Sequence, residues 1–160
     1  TFFDTKNDPD QIDVNEEDRE RLLAIHPATM AEYANAEGPV VWILGIPTTT
    51  DVMNRFVSGQ ITENQLLYET PIGVPYDAVY LCSAAVLPEY RRRGLALKVA
   101  METIEKIRKD HPIRALFTWS FSESGRALSL AIAQQCKLPL YERVTKKEST
   151  GTDIPLPGPQ

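Results

Sequence analysis

Three consecutive cations, Arg91, Arg92 and Arg93, stand directly before Gly94, Leu95 and Ala96. Arginines at that density suit an anion if the backbone around them helps. The run before them, Ala78 to Val86, is short and mostly apolar, as in a strand buried on both faces. The run after them repeats Leu97, Ala100, Met101, Ile104 and Ile107 at threes and fours, which predicts a helix. The arginines therefore crowd a helix N-terminus, an end carrying roughly +0.5 of a charge, where cations are costly unless an anion lies between them. Free N–H groups at such an end form an anion site. Gly94 lets the backbone approach closely, and Ala96 is small for the same purpose. The turn reads as a cradle for a phosphate or pyrophosphate. The structural alternative is a solvated basic turn with a packing glycine.

The neighbouring elements must hold that turn. Pro88 ends the strand, because it has no N–H for a ladder. Lys106, Arg108 and Lys109 occupy the helix's last turn, and Pro112 blocks its continuation. Arg114 to Phe121 predicts a strand, with Phe117, Trp119 and Phe121 alternating with Leu116, Thr118 and Ser120. Joined to 78–86 through the long helix, it makes a βαβ unit with parallel strands. Ser122 or Ser124 caps a helix running to about Cys136, with Ala127, Leu128, Ala131 and Ile132 as its apolar face. Pro139 to Val144 allows one more strand, and 145–160 reads as a loose polar tail.

Upstream, residues 1–15 read as a polar loop in which Phe2 and Phe3 could mark an edge strand. Glu16 to Ile25 predicts a short helix, broken by Pro27, and Ala28 to Ala36 predicts a second one closed by Gly38. His26, at their junction, reads as a helix-end residue rather than a base. Val40 to Ile46 predicts a central strand ended by Pro47. Thr48 or Thr49 then caps a helix carrying Val52, Met53, Phe56 and Val57, closed by Gly59. Thr62-Glu63-Asn64-Gln65 resembles a capping box opening a short helix.

The stretch Val86-Leu87-Pro88-Glu89-Tyr90-Arg91-Arg92-Arg93-Gly94-Leu95-Ala96 resembles the acyl-CoA signature of the GNAT superfamily of N-acetyltransferases. That signature is an Arg or Gln, two residues, Gly, one residue, then Gly or Ala; Arg91, Gly94 and Ala96 fill it. The element order across roughly 12–144 resembles the family too. The resemblance implies an α+β (mixed α/β) fold, with a central twisted mixed sheet flanked by helices, in a single domain over 1–160. It implies that strands 78–86 and 113–121 splay apart near their C-terminal ends. The pantetheine arm of acyl-CoA would lie in that gap, pairing with backbone at Ala85, Val86 and Leu87 as an added strand. Arg91, Arg92, Arg93, Gly94, Leu95 and Ala96 would surround the pyrophosphate. Ser124 and Arg126, at the next helix start, would face the same end of the sheet as further cofactor contacts; an N-cap and a solvated arginine are the alternative.

The implied activity is acyl transfer, with acetyl-CoA as donor and an unidentified amine as acceptor. The alternative is a non-catalytic acyl-CoA sensor or partner-binding protein on the same scaffold. Many family members carry a tyrosine seven residues after the opening of the second helix; counting from Ser124 reaches Ala131 here. The general base and acid are unassigned: Tyr80, Cys82, Ser83, Ser120 and Glu123 flank the expected groove, each with a structural reading of its own. Residues 47–76 are the expected carrier of acceptor specificity.

Composition narrows the classes. With 160 residues the chain can build one core. A net charge of −5 argues against nucleic acid as the main partner, since phosphate contacts dominate such binding. Cys82 and Cys136 have no metal-type spacing. Two free thiols, no signal peptide and no apolar run near 18 residues suggest a cytoplasmic protein without a membrane partner. A homodimer is left open.

Overall fold

A computed structural model of the chain describes residues 15–143, apart from Arg92 and Phe121. The readings made for Phe2 and Phe3, Arg92, Phe121, Val144 and the tail 145–160 lie outside the described residues.

The elements run α1 (Glu16–Ile25), β1 (Met30–Asn35), β2 (Gly38–Thr48), α2 (Thr50–Val57), α3 (Glu63–Glu69), β3 (Ala78–Val86), a 3-10 turn (Pro88–Tyr90), α4 (Leu95–Asp110), β4 (Ala115–Thr118), α5 (Glu123–Cys136) and β5 (Leu140–Glu142). This is an α+β chain with one mixed five-stranded sheet in the order β1-β2-β3-β4-β5. The first three strands are antiparallel to one another, and β3, β4 and β5 are parallel. Among the described residues no helix is long and apolar enough to cross a membrane.

Residues 28–36 do not form the expected second helix. Met30–Asn35 is an edge strand paired with β2, from Met30↔Leu44 to Asn35↔Gly38. Good helix formers such as Met, Ala and Glu misled the reading, because the cross-strand partner that outweighs their propensity lies outside the local window. Gly38, expected to close a helix, closes a hairpin instead: its φ is +129° and Asn35 Oδ1 accepts from the Glu37 amide at 2.8 Å. Pro47 does not end β2, which continues to Thr48. The β1 ladder stops at Leu44, so Pro47 has a ladder neighbour only in β3, and a missing N–H on the other side costs nothing. β4 and β5 are also shorter than expected.

Alternation along β3 and β4 sends Tyr80 and Phe117 to one face, where both rings pack on Phe56 of α2, with centroids 4.8 and 5.9 Å away. Phe56 is fully buried, and truncating such a ring to alanine costs about 3–5 kcal/mol. α4 buries Val99, Ala100, Thr103, Ile104 and Ile107, a stripe rotated slightly from the expected one. α5 buries Ser129, Ile132, Ala133 and Cys136, leaving Ala127 exposed. Alanine contributes too little area to fix which face of a helix turns inward.

α3 has only seven residues, too few to persist alone, so its position is imposed. The Thr62–Gln65 capping box starts it, as the sequence suggested. At its far end Arg21 of α1 donates to the carbonyls of Leu67, Tyr68 and Thr70. Buried Leu66 and Leu67 hold its inner side.

Candidate functional site

The site begins with a fault in the sheet. β2 and β3 keep register to Leu44↔Ser83 and resume at Gly45↔Leu81. β3 advances two residues where β2 advances one, so Cys82 is the extra residue of a β-bulge. The β3–β4 ladder stops at the same level, at Leu81↔Thr118, where Thr118 Oγ1 also donates to the Leu81 carbonyl at 3.2 Å. β3 runs on to Val86 against β2, while β4 has ended. A bulge sharpens local twist, which turns the two parallel strands away from each other here.

A cavity of about 240 Å³ occupies the divergence. Leu81, Thr118 and Ser120 line it where the strands part, α4 contributes Ala100 and Ile104, and α5 contributes Ser129. Cys82 and Glu63 line it too, and they belong with Tyr80 on the α2–α3 face. The cavity therefore draws its wall from both faces of the sheet.

Glu63 is the charged group in this wall and is only 2% exposed. The Tyr80 hydroxyl and the Cys82 thiol, the latter at 3.6 Å, both donate to its Oε2. Burial first, and then the Glu63 charge, push Tyr80 and Cys82 well above their ordinary ionisation ranges. Both therefore stay protonated as donors to the Glu63 carboxyl.

The cradle residues lie at the C-terminal end of β3. Gly94 is the N-cap of α4 with φ +73°, a conformation that disfavours any L side chain, although nothing lies within 4 Å of where a Cβ would point. No side chain caps α4 and its first turn holds no acid. Arg91 Nε donates to the Val86 carbonyl at 3.2 Å, and the Arg93 guanidinium lies 5.0 Å from the Tyr90 ring centroid. Ala85 and Val86 pair with Trp42 and Val41, and the Leu87 amide donates to Val40 at 3.0 Å, so these residues are β3's last grip on β2. Leu95 and Ala96, half-buried, open α4.

The other expected residues divide. Ser83 and Ser120 line the cavity; Glu123 is exposed in the first turn of α5. Ser122, not Ser124, caps α5, accepting from the Gly125 amide. Ser124 is exposed with its hydroxyl 3.4 Å from that of Ser122. Arg126 pairs with Glu142 at 3.1 Å. His26 closes α1, accepts from the Ala28 amide and contacts Asp110 at 2.8 Å, away from the cavity. Glu63 escaped the sequence reading because a glutamate after a capping threonine looks the same whether it faces water or a cavity. Its one signal was its place in the segment expected to serve the acceptor.

No protein-family model and no curated protein matches this chain.

Proposed function

We propose that the protein is an acyl-CoA-dependent N-acyltransferase of the GNAT kind, with acetyl-CoA as donor. The observation that carries this reading is the coincidence of three features at one end of β3: a bulge at Cys82, a ladder to β4 that ends beside it, and a cavity in the resulting gap. A pantetheine arm suits such a gap, because its amides can bond the strand edge that lacks a ladder. The pyrophosphate suits the uncapped start of α4 beside Gly94, with Arg91 and Arg93 close by in sequence.

The thioester supplies an activated acyl group. Glu63 then has a definite task in this reading. An amine arrives as an ammonium and must lose a proton before its lone pair can attack the carbonyl carbon. Glu63 accepts that proton; the new N–C bond forms, the C–S bond breaks, and the nitrogen's second proton leaves with the thiolate as CoA thiol. Tyr80 and Cys82, held neutral against Glu63, orient its carboxylate. Ala131 then needs no tyrosine in its place, since a thiolate with a pKa near 8.5 departs near neutral pH without a strong acid.

The test incubates the protein with acetyl-CoA and a panel of amines, reading released thiol. Turnover is expected with at least one amine, and Glu63→Gln should lower it about 100-fold or more while leaving CoA affinity within twofold. A variant as active as wild type removes Glu63 from the chemistry. Silence across the panel despite tight CoA binding favours the non-catalytic reading.

A further inference from the structure

Arg143, just after β5, is a cation where cations seldom sit: it is 5% exposed. Its guanidinium carbon lies 4.7 Å from the ring centroid of Phe56 and 4.2 Å from that of Trp119. Nη1 donates to the Ile61 carbonyl at 2.7 Å, while Nε is buried without a hydrogen bond. The two rings hold the guanidinium's plane by stacking and keep water from it, so its field is poorly screened. A buried charge persists only where an opposite charge offsets it.

Glu63 shares the surroundings of Arg143. The carbonyl that Arg143 grips belongs to Ile61, two residues before Glu63, at the entry to α3. Trp119, stacked on Arg143, lines the same cavity as Glu63. The Tyr80 hydroxyl, bonded to Glu63, lies within reach of both: Glu63 acts to push its ionisation to higher pH and Arg143 to bring it to lower pH. The titratable groups described near Glu63 include Tyr80 and Cys82 of β3, which bond it, and Arg143 after β5, which acts on the same Tyr80; among the described residues β2, α4 and α5 add no charged side chain to the cavity wall. Arg143 itself does not line the cavity.

We propose that Arg143 is a positioning residue for Glu63: its grip on Ile61 fixes the start of α3, and its desolvated charge keeps the buried carboxylate ionised. The inference rests on Glu63 being the proton acceptor. Burial favours the protonated form of a carboxylate, which cannot receive a proton, and a nearby positive charge opposes that. Lysine could supply the charge but neither the stacking plane nor the same directed N–H.

The test observes the Glu63 carboxyl carbon by NMR in protein labelled with 13C at glutamate Cδ, the signal being assigned by its loss in Glu63→Gln. In wild type near neutral pH it should sit at the ionised position. In Arg143→Met its titration midpoint should rise by about one pH unit or more, a tenfold change in proton affinity. The acid limb of the acyl-transfer rate should move with it while CoA affinity stays unchanged. Arg143→Lys should fall between the two. An unmoved Glu63 signal in a folded Arg143→Met overturns the proposal. Should that variant not fold, Arg143→Lys decides by whether its midpoint rises at all. Should neither fold, a wild-type Glu63 signal at the protonated position near neutral pH is sufficient to refute it. Activity with an unmoved signal would sink this inference alone; a moved signal without turnover for any amine would sink the enzyme reading alone.

Discussion

Gly94 is held in its unusual conformation by the need to turn from the 3-10 segment into α4, and by nothing that fills space around it. Any L residue there pays about 1–2 kcal/mol of backbone strain. Gly94→Ala and Gly94→Glu should therefore lose similar stability in a urea titration. They should part in ligand binding. Only the glutamate places a carboxylate where the pyrophosphate is expected, so its CoA affinity should fall more than tenfold below that of Gly94→Ala, about 1.4 kcal/mol or more. Equal affinities would move the cradle elsewhere. The strand, the glycine turn and the long helix were legible at this scale because each announces itself locally. Glu63 and Arg143 were not, because the surroundings of each are set by contacts distant in sequence, such as Arg143 with the Ile61 carbonyl 82 positions away.

Elements here are stitched at their ends. Asp77, just before β3, accepts from the Thr50 amide and hydroxyl at 2.8 Å each and from Arg114 at 3.1 Å, tying the start of α2 and the approach to β4 onto β3. Burial alone would raise its carboxyl, but the bonds from Thr50 and Arg114 outweigh it and hold Asp77 below the ordinary carboxylate range. Arg114 is 77% exposed, so its share is screened and Thr50 carries most of the effect. A depressed carboxylate contributes stability that is complete above its unfolded value, near 3.9, and vanishes as pH falls through the folded one. Asp77→Asn should thus be less stable than wild type by about 1–3 kcal/mol at neutral pH, with the difference shrinking as acid carries the pH below the ordinary carboxylate value. Denaturant unfolding at neutral and acid pH checks it, and a difference independent of pH would refute it. The βαβ unit at this scale was readable from period and punctuation. β1 was not, because a strand made of helix formers is specified by the free edge of β2 and not by its own residues.

For the molecule as a whole, a ligand at the divergence would touch several elements at once. It would bridge β3, α4 and α5 and bind only the folded chain. Acetyl-CoA at about 100 times its Kd should add roughly 2.7 kcal/mol. For a domain of this size that is a rise in Tm of about 5–11 °C. Millimolar acetyl-CoA without a shift, with calorimetry also silent, would remove the donor from the proposal.

The parting of β3 from β4 also leaves an edge in the interior of the sheet, and an edge has a clock. Between Cys82 and Val86 the amides directed at β2 are locked in a ladder, while alternate amides face the gap and have no ladder to open before they trade hydrogen for deuterium. Protection along this one strand should therefore alternate residue by residue, slow and fast, where Val79 to Leu81 exchange slowly throughout. Residue-resolved exchange would read that pattern directly. A ligand lying along the gap should slow the fast set and leave the slow set as it was, so a single strand would report occupancy by becoming uniform.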